Sequence, residues 1–120
     1  MDTFGSYKMK DLVFVTGNMD KVKWVEKFLG HKIDHHKLDL DEIQSLDPTE
    51  VLEHKAREAY KILQKPVLVE DTSLVLHALG RLPGTLIKHF LDELGTEELA
   101  KLLDGFDKKN GYANSVFCIV

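Results

Sequence analysis

A short segment with two polar side chains follows the first apolar run of the sequence. The stretch "VFVTGNMDK", residues 13–21, is β-branched and aromatic at first and then passes through Thr16, Gly17 and Asn18 into a helical pattern holding Lys21. In α/β proteins, ligands gather at the carboxyl ends of strands, and a helix N-terminus presents amides with a partial positive charge. The stretch therefore fits a phosphate-binding turn, and it fits a plain tight turn equally well. It lacks the glycine loop and Lys-Ser/Thr pair of a P-loop.

Acidic residues occur at two later points. Glu70 and Asp71 follow the apolar run "PVLV", and Glu42 lies in an acidic stretch after a weak strand pattern. If Glu70 and Asp71 close a strand, one carboxylate points toward the edge that holds Thr16. A carboxylate beside a phosphate is unfavourable unless a divalent cation lies between them, and Mg²⁺ prefers such oxygen ligands. These residues are candidate Mg²⁺ ligands, and solvated loop ends are the alternative.

Lys55 occupies an unusual place in a helical pattern. Over residues 48–64, the apolar positions form one broad arc at 100° per residue, and Lys55 falls inside that arc. A lysine on an inward face either extends its amine to solvent past apolar neighbours or meets an anion. Both interpretations stay open at this point.

These residues must be positioned by alternating strands and helices. Strands are predicted at 11–16, at 36–40, from Pro66 to the Glu70-Asp71 pair, and over 111–120. Helices are predicted at 20–29, 48–64, 85–94 and 96–103. The alternation predicts an α/β fold with a mixed, partly parallel central sheet flanked by helices.

Several residues mark the ends of these elements. Gly30 is placed to end the first helix, and Asp47-Pro48 with Glu50 predicts a capping box at the start of the second. Trp24 and Phe28 lie four residues apart on the first helix, which predicts helix packing.

Composition limits the class of protein. The 120 residues predict one domain, 1–120, with 1–10 as a loosely held tail. The net charge of -4 argues against a nucleic-acid partner, and no apolar stretch approaches the roughly 20 residues of a membrane span. A single cysteine rules out an intramolecular disulfide and predicts a cytoplasmic location.

Four segments in order resemble the inosine triphosphate pyrophosphatase family. They are "FVTGNMDKVKWVEKFLG", "LDLDEIQ", "KPVLVEDTSLVLHALGRLPGTLIKHFLDELG" and "LLDGFDKKNGYANSVF". The resemblance implies Mg²⁺-dependent hydrolysis of purine nucleoside triphosphates such as ITP, dITP and XTP to monophosphate and pyrophosphate. It also implies a homodimer.

The resemblance assigns roles to individual residues. It implies that Thr16, Gly17, Asn18 and Lys21 hold the triphosphate and that Lys55 and Lys88 neutralise its charge. Lys88 is singled out by the resemblance alone. Glu42 and Asp71 would handle the metal and the attacking water, with Glu70 as a further metal ligand.

The sequence departs from the family in one respect. The family's C-terminal Phe-Gly-Trp-Asp-Pro and Ser-His-Arg motifs, which contact the purine base, do not occur among these 120 residues. Three expectations follow: a short form whose last strand pairs with a second subunit, a fragment, or a relative that binds nucleotide or dimerises without turnover.

Overall fold

The computed structural model describes residues 3–4, 7–8 and 11–120, with side chains from residue 11 onward. Its elements, in chain order, are β1 (Thr3–Phe4), β2 (Tyr7–Lys8), β3 (Val13–Val15), α1 (Met19–Leu29), β4 (Asp34–His36), α2 (Pro48–Leu63), β5 (Val67–Leu76), a 3₁₀ turn (His77–Leu79), β6 (Pro83–Gly84), α3 (Ile87–Lys101) and β7 (Gly111–Ile119). β1 pairs with β2 in an antiparallel ladder. The rest of the predicted tail lies outside the described residues.

The chain contacts group into two compact units. The first comprises Met1–Ile43, Leu52–Glu70 and Phe117–Val120, and the second comprises Gln44–Val51 and Asp71–Val116. The single domain predicted for residues 1–120 stays a prediction. None of the helices in the described part of the chain is long and apolar enough to cross a membrane.

The first unit is built on β3. This strand is buried along its length and runs parallel to β4 on one side and to the start of β5 on the other. Its core contains the apolar side chains Leu12, Phe14, Val22, Val25, Ile33 and Leu68, with Leu29 packed against them. The predicted strand–turn–helix unit is confirmed, because α1 packs Val22 and Val25 against the strand it follows.

The ends of α1 follow from two residues. Asn18 is the N-cap, and its side-chain oxygen accepts hydrogen bonds from the backbone N–H groups of Asp20 and Lys21. Gly30 ends the helix at φ 79°, a left-handed conformation that glycine adopts without steric cost. The prediction for this helix is confirmed to within one residue at its start.

β4 lies earlier than predicted. The strand covers Asp34–His36 rather than 36–40, because its register against β3 is set by pairing from Val13↔Asp34 to Val15↔His36. Ile33, just before the strand, is buried in the core, and this burial supports the same register. The chain therefore leaves the sheet at His36.

β5 is longer than predicted. The strand was expected to end at Glu70 and Asp71, but it continues to Leu76. Its first half is buried beside β3, and its reciprocal hydrogen bonds between Val67 and Val120 show that it also pairs with the end of the chain in antiparallel fashion. Two carboxylates can lie inside a strand here because the hydrogen bonds of neighbouring strands fix the backbone regardless of side-chain polarity.

The start of α2 is capped through an additional residue. Asp47 Oδ1 accepts a hydrogen bond from Thr49 N, as predicted for an N-cap. Glu50 does not close the capping box directly: Ser45 Oγ accepts from Asp47 N and donates to Glu50 Oε2. Helix α2 then buries Val51, Leu52, Ala56 and Ala59, as its pattern predicts.

The second unit contains the remainder of β5, β6 and α3. Residues 74–75 of β5 pair with β6 in an antiparallel ladder, and Leu76, Leu99 and Leu103 form a small core. Helix α3 is interrupted at Gly95, which has φ 75° and ψ 172°, so the predicted boundary between two helical segments is confirmed. The mixed sheet flanked by helices confirms the predicted fold class.

Gly84 provides a test of this unit. It has φ 59°, and a Cβ atom there would lie 2.8 Å from the Arg81 carbonyl oxygen. Gly84→Ala should therefore lower the free energy of unfolding by about 1–3 kcal/mol. Gly105→Ala is the matched control, because no heavy atom lies within 4 Å of its Cβ position. Urea denaturation of both variants measures the difference, and equal stabilities would contradict the geometry of the β5–β6 turn.

Cys118 gives a pH-dependent test of the first unit. Burial, followed by the nearby Glu53 carboxylate, raises the pKa of the Cys118 thiol, and Arg57 lowers it by less. Because the folded state favours the neutral thiol, this stabilisation is present below the unfolded pKa and is lost as pH rises through the folded pKa. Wild type should lose more stability than Cys118→Ser over that alkaline range in urea titrations. Parallel pH profiles would contradict this assignment.

Candidate functional site

The turn after β3 is held by its own polar side chains. Thr16 N donates to the His36 carbonyl, and Asn18 N donates to Thr16 Oγ1 at 3.1 Å. Asn18 Oδ1 accepts from Asp20 N at 3.0 Å and from Lys21 N at 3.3 Å. Two of the helix amides expected to face phosphate are therefore already bonded to Asn18. The side chains of the turn are exposed to solvent or partly so, which leaves room for a ligand beside them.

Lys37 is a site candidate that sequence reasoning missed. A Cβ atom on Gly17 would lie 2.9 Å from Lys37 Cδ, so the lysine stem crosses directly over the glycine. The predicted strand at 36–40 placed Lys37 inside a sheet. With β4 ending at His36, Lys37 instead follows a strand parallel to β3, and the carboxyl ends of the two strands meet at one edge. A prediction that β4 ends at His36 would have placed Lys37 at the carboxyl end of the strand and identified it as a site candidate.

Lys21 and Glu70 form an ion pair inside the first unit. Lys21 Nζ lies 2.6 Å from Glu70 Oε1 and 2.8 Å from Oε2. The Glu70 side chain is only 5% exposed, whereas that of Lys21 is 42% exposed. The ammonium thus compensates a buried carboxylate while keeping contact with solvent. An ammonium has three donors, so two bonds to Glu70 leave capacity for one more acceptor.

Lys55 and Glu42 form a second pair of the same kind. Lys55 Nζ lies 2.9 Å from Glu42 Oε1, and the side chains are 15% and 49% exposed. Of the two interpretations of Lys55, the structure supports the one in which the lysine meets an anion. That anion is a carboxylate of this chain. In this pair the lysine is the buried member and the carboxylate is exposed, the reverse of the Lys21–Glu70 pair.

Asp71 and Lys88 belong to the second unit. Asp71 follows Glu70 within β5, and successive side chains of a strand project from opposite faces. The two carboxylates therefore do not share a face, as they could have at a strand end. The Oδ2 atom of Asp71 is buried. Lys88 lies in the first turn of α3 and is exposed.

The predicted metal ligands are Glu42, Glu70 and Asp71. Among the residues that the structure describes, no three His, Cys, Asp or Glu side chains are placed to hold a metal ion together. Glu42, Glu70 and Asp71 still have the chemistry that suits Mg²⁺, because carboxylate oxygens are its usual protein ligands. Glu70 is bonded to Lys21 and Glu42 to Lys55, so a metal ion would have to displace these lysines from the carboxylates.

The chain is similar to known proteins in both sequence and fold. The Ham1 family model matches residues 12–120. Inosine triphosphate pyrophosphatase 2 of Trypanosoma cruzi is 47% identical over 108 residues, which cover 88% of this chain and 55% of that protein. Inosine triphosphate pyrophosphatase of Yarrowia lipolytica is 50% identical over 109 residues, covering 88% and 57%. The chain thus spans little more than half the length of these curated relatives.

Solved structures agree in fold. The Ham1 protein of Staphylococcus aureus has a TM-score of 0.73 at 22% identity, over 91% of this chain and 62% of that one. A HAM1 protein of Coxiella burnetii has a TM-score of 0.75 at 20% identity, over 90% and 61%. At these identities the likeness establishes the fold alone, and it agrees with the mixed sheet described above.

The Lys21–Glu70 pair can be tested by its effect on stability. Lys21→Met removes the charge that compensates a buried carboxylate, and it should lower the free energy of unfolding by about 1–2 kcal/mol, an effect reduced by the partial exposure of Lys21. Lys23→Met, an exposed change on the same helix, should stay within about 0.5 kcal/mol of wild type.

A double-mutant cycle with Glu70→Gln isolates the pair. Denaturant titrations of the four proteins should give a coupling energy of about 0.5 kcal/mol or more. Strict additivity of the two single changes would contradict a direct interaction between the side chains.

Proposed function

The chain belongs to the Ham1 family, and from this premise we propose that it acts in Mg²⁺-dependent hydrolysis of ITP, dITP and XTP. The products would be nucleoside monophosphate and pyrophosphate. Relatives 44–50% identical to this chain are named inosine triphosphate pyrophosphatases. Because the chain spans 55–58% of their length, the activity of those whole proteins is a proposal for this one.

One observation carries this proposal. Two lysines predicted to bind phosphate are each bonded to a carboxylate predicted to bind metal, Lys21 to Glu70 and Lys55 to Glu42. Each pair holds opposite charges that a magnesium–triphosphate complex also contains. When that complex binds, each ammonium can transfer its hydrogen bonds to phosphate oxygens, and the carboxylate becomes available to a cation. The charges of each lysine and carboxylate would therefore be compensated both before and after the complex binds.

The turn after β3 supports the same chemistry. Thr16 and Asn18 contribute a hydroxyl and a side-chain amide at the carboxyl end of β3, and Lys37 lies over Gly17. Lysine ammonium groups stabilise negative charge where it develops on the departing pyrophosphate. Lys88 is proposed to contribute a further positive charge from α3.

The reaction requires water to attack the α-phosphorus. A bond forms between the water oxygen and that phosphorus, the bond to the oxygen bridging toward the β-phosphorus breaks, and pyrophosphate leaves with the bonding electron pair. Asp71 and Glu42 are proposed to accept the proton of the attacking water and to orient it. Glu42, Glu70 and Asp71 each have the carboxylate chemistry to bind Mg²⁺, which would supply charge neutralisation on the phosphates.

The proposal includes a cellular location, an oligomeric state and a small-molecule partner for this protein. We propose a cytoplasmic location, supported by the single cysteine of the sequence. We also propose a homodimer, which light scattering at several concentrations tests directly. A purine nucleoside triphosphate is the proposed small-molecule partner, with no nucleic acid or membrane partner.

Asp71→Asn tests the chemical step. Incubation with ITP, XTP, ATP or GTP, with and without Mg²⁺, should yield monophosphate and pyrophosphate from wild type in the presence of metal. The variant should be slower by about a hundredfold or more, because a positioned base is lost. Asp107→Asn, an exposed change in the loop before β7, should leave the rate unchanged.

The same assay separates the proposed enzyme from its alternative. Unchanged turnover in Asp71→Asn would overturn the role of that residue. Nucleotide binding without any product, from folded wild-type protein, would identify a nucleotide-binding module that lacks turnover. Chromatography measures the products, calorimetry measures nucleotide binding, and circular dichroism shows whether each variant is folded.

A further inference from the structure

Three aromatic rings are stacked on the surface of the first unit. The Trp24 ring lies 6.2 Å, centroid to centroid, from both Phe28 and Phe117, with interplanar angles of 10° and 12°. Packing between Trp24 and Phe28 was predicted, but both rings remain open to solvent, at 59% and 80% exposure, and Phe117 is 41% exposed. Trp24 therefore stacks on both phenylalanine rings, and all three residues remain partly exposed to solvent.

The rings lie next to the Lys21–Glu70 pair. Lys21, Trp24 and Phe28 are spaced three and four residues apart, so they share one face of α1. On the sheet, Val67 pairs with Val120 in antiparallel register, and three further steps along β5 and β7 place Glu70 opposite Phe117. The hydroxyl contact between Thr72 and Ser115 at 3.3 Å fits the same register.

Two layers of contact thus run side by side from α1 to the sheet. The Lys21 ammonium meets Glu70 on β5, and the Trp24 ring meets Phe117 on β7. Along the helix, Trp24 lies about 4.5 Å beyond Lys21 and Phe28 about 10.5 Å beyond it. Along one face of α1, the Lys21 ammonium, which can bind phosphate, is therefore followed by the Trp24 and Phe28 rings, which can stack on a planar aromatic group.

We propose that Trp24, Phe28 and Phe117 form a stacking platform for the base of the nucleotide whose phosphates bind at Lys21. The proposal rests on the proposed function for the identity of the ligand. Aromatic side chains stack on every base through its π-face, with little dependence on exocyclic groups. The platform consequently supplies affinity for purines in general, and it does not distinguish ITP from ATP.

The fluorescence of Trp24 can report whether a ligand is bound at the platform. It is the single tryptophan of the sequence, so the intrinsic fluorescence of the protein excited at the indole band comes from the platform. The α,β-methylene analogue of ITP, whose bridge is not hydrolysed at the α-phosphorus, should quench this fluorescence on binding. Inorganic tripolyphosphate should compete with the analogue but should not quench by itself.

Substitutions separate stacking from apolar contact. Trp24→Leu keeps apolar surface but removes the aromatic face, and it should weaken binding of the analogue by about tenfold while leaving tripolyphosphate affinity unchanged. Trp24→Phe should retain most of the affinity. Phe106→Ala removes an exposed ring in the second unit and should change neither affinity. Calorimetry measures all four proteins without relying on fluorescence.

The outcomes distinguish this inference from the proposed function. Pyrophosphate release from ITP with an unchanged KM in Trp24→Leu would overturn the platform and leave the hydrolysis in place. Stacking of the analogue with no release of pyrophosphate from ITP would keep the platform and overturn the hydrolysis. A blue shift of Trp24 emission that grows with protein concentration, with no response to the analogue, would show a second copy covering the rings and would overturn the platform.

Discussion

A buried carboxylate sets the arrangement of the first unit. Glu70 lies within β5, where only 5% of its side chain reaches solvent, and its charge could not remain there without a nearby cation. Lys21 supplies that cation from the first turn of α1. The helix must therefore begin where it does, which in turn requires Asn18 as its cap and a tight turn after β3. One ion pair thus links the register of a strand, the start of a helix and the geometry of the turn between them.

The two lysine–carboxylate pairs share a principle although their burial is reversed. In one pair the carboxylate is the buried member, and in the other Lys55 is the more buried member while Glu42 is exposed. Both are charge-compensated in the absence of a ligand, so neither site leaves an isolated ion in a poorly solvated place. Under the proposed function, a ligand with both signs of charge, such as a metal–phosphate complex, would replace the internal partners without a large change in net charge. This explains how strongly polar residues can be kept at a site without destabilising the unoccupied protein.

Much of the architecture could be predicted from the sequence because local signals were strong. Gly30 ends α1 and Gly95 interrupts α3 at the predicted places, and the resemblance to inosine triphosphate pyrophosphatases agrees with the named relatives. The errors arose where pairing between distant segments decided the structure. The position of β4 depends on its register with β3, and the length of β5 depends on hydrogen bonds from β7. Lys37 was missed because the register of β4 was predicted incorrectly. Glu70 and Asp71 were placed at a strand end because the pairing of β5 with β7 could not be read from the local sequence. Polarity marks strand ends only when no neighbouring strand continues the ladder.

The pairing between Val67 and Val120 has a consequence for how the chain folds during synthesis. The backbone hydrogen bonds of helices α1 and α2 join residues close in sequence, whereas one edge of β5 gains its partner only when β7 is made. Until then β5 presents unpaired backbone groups in an apolar segment, which is the kind of edge that pairs with other chains. The nascent protein is therefore most prone to aggregate between the completion of β5 and the arrival of β7. Conditions that slow translation over that interval should reduce the yield of soluble protein more than changes earlier in the chain.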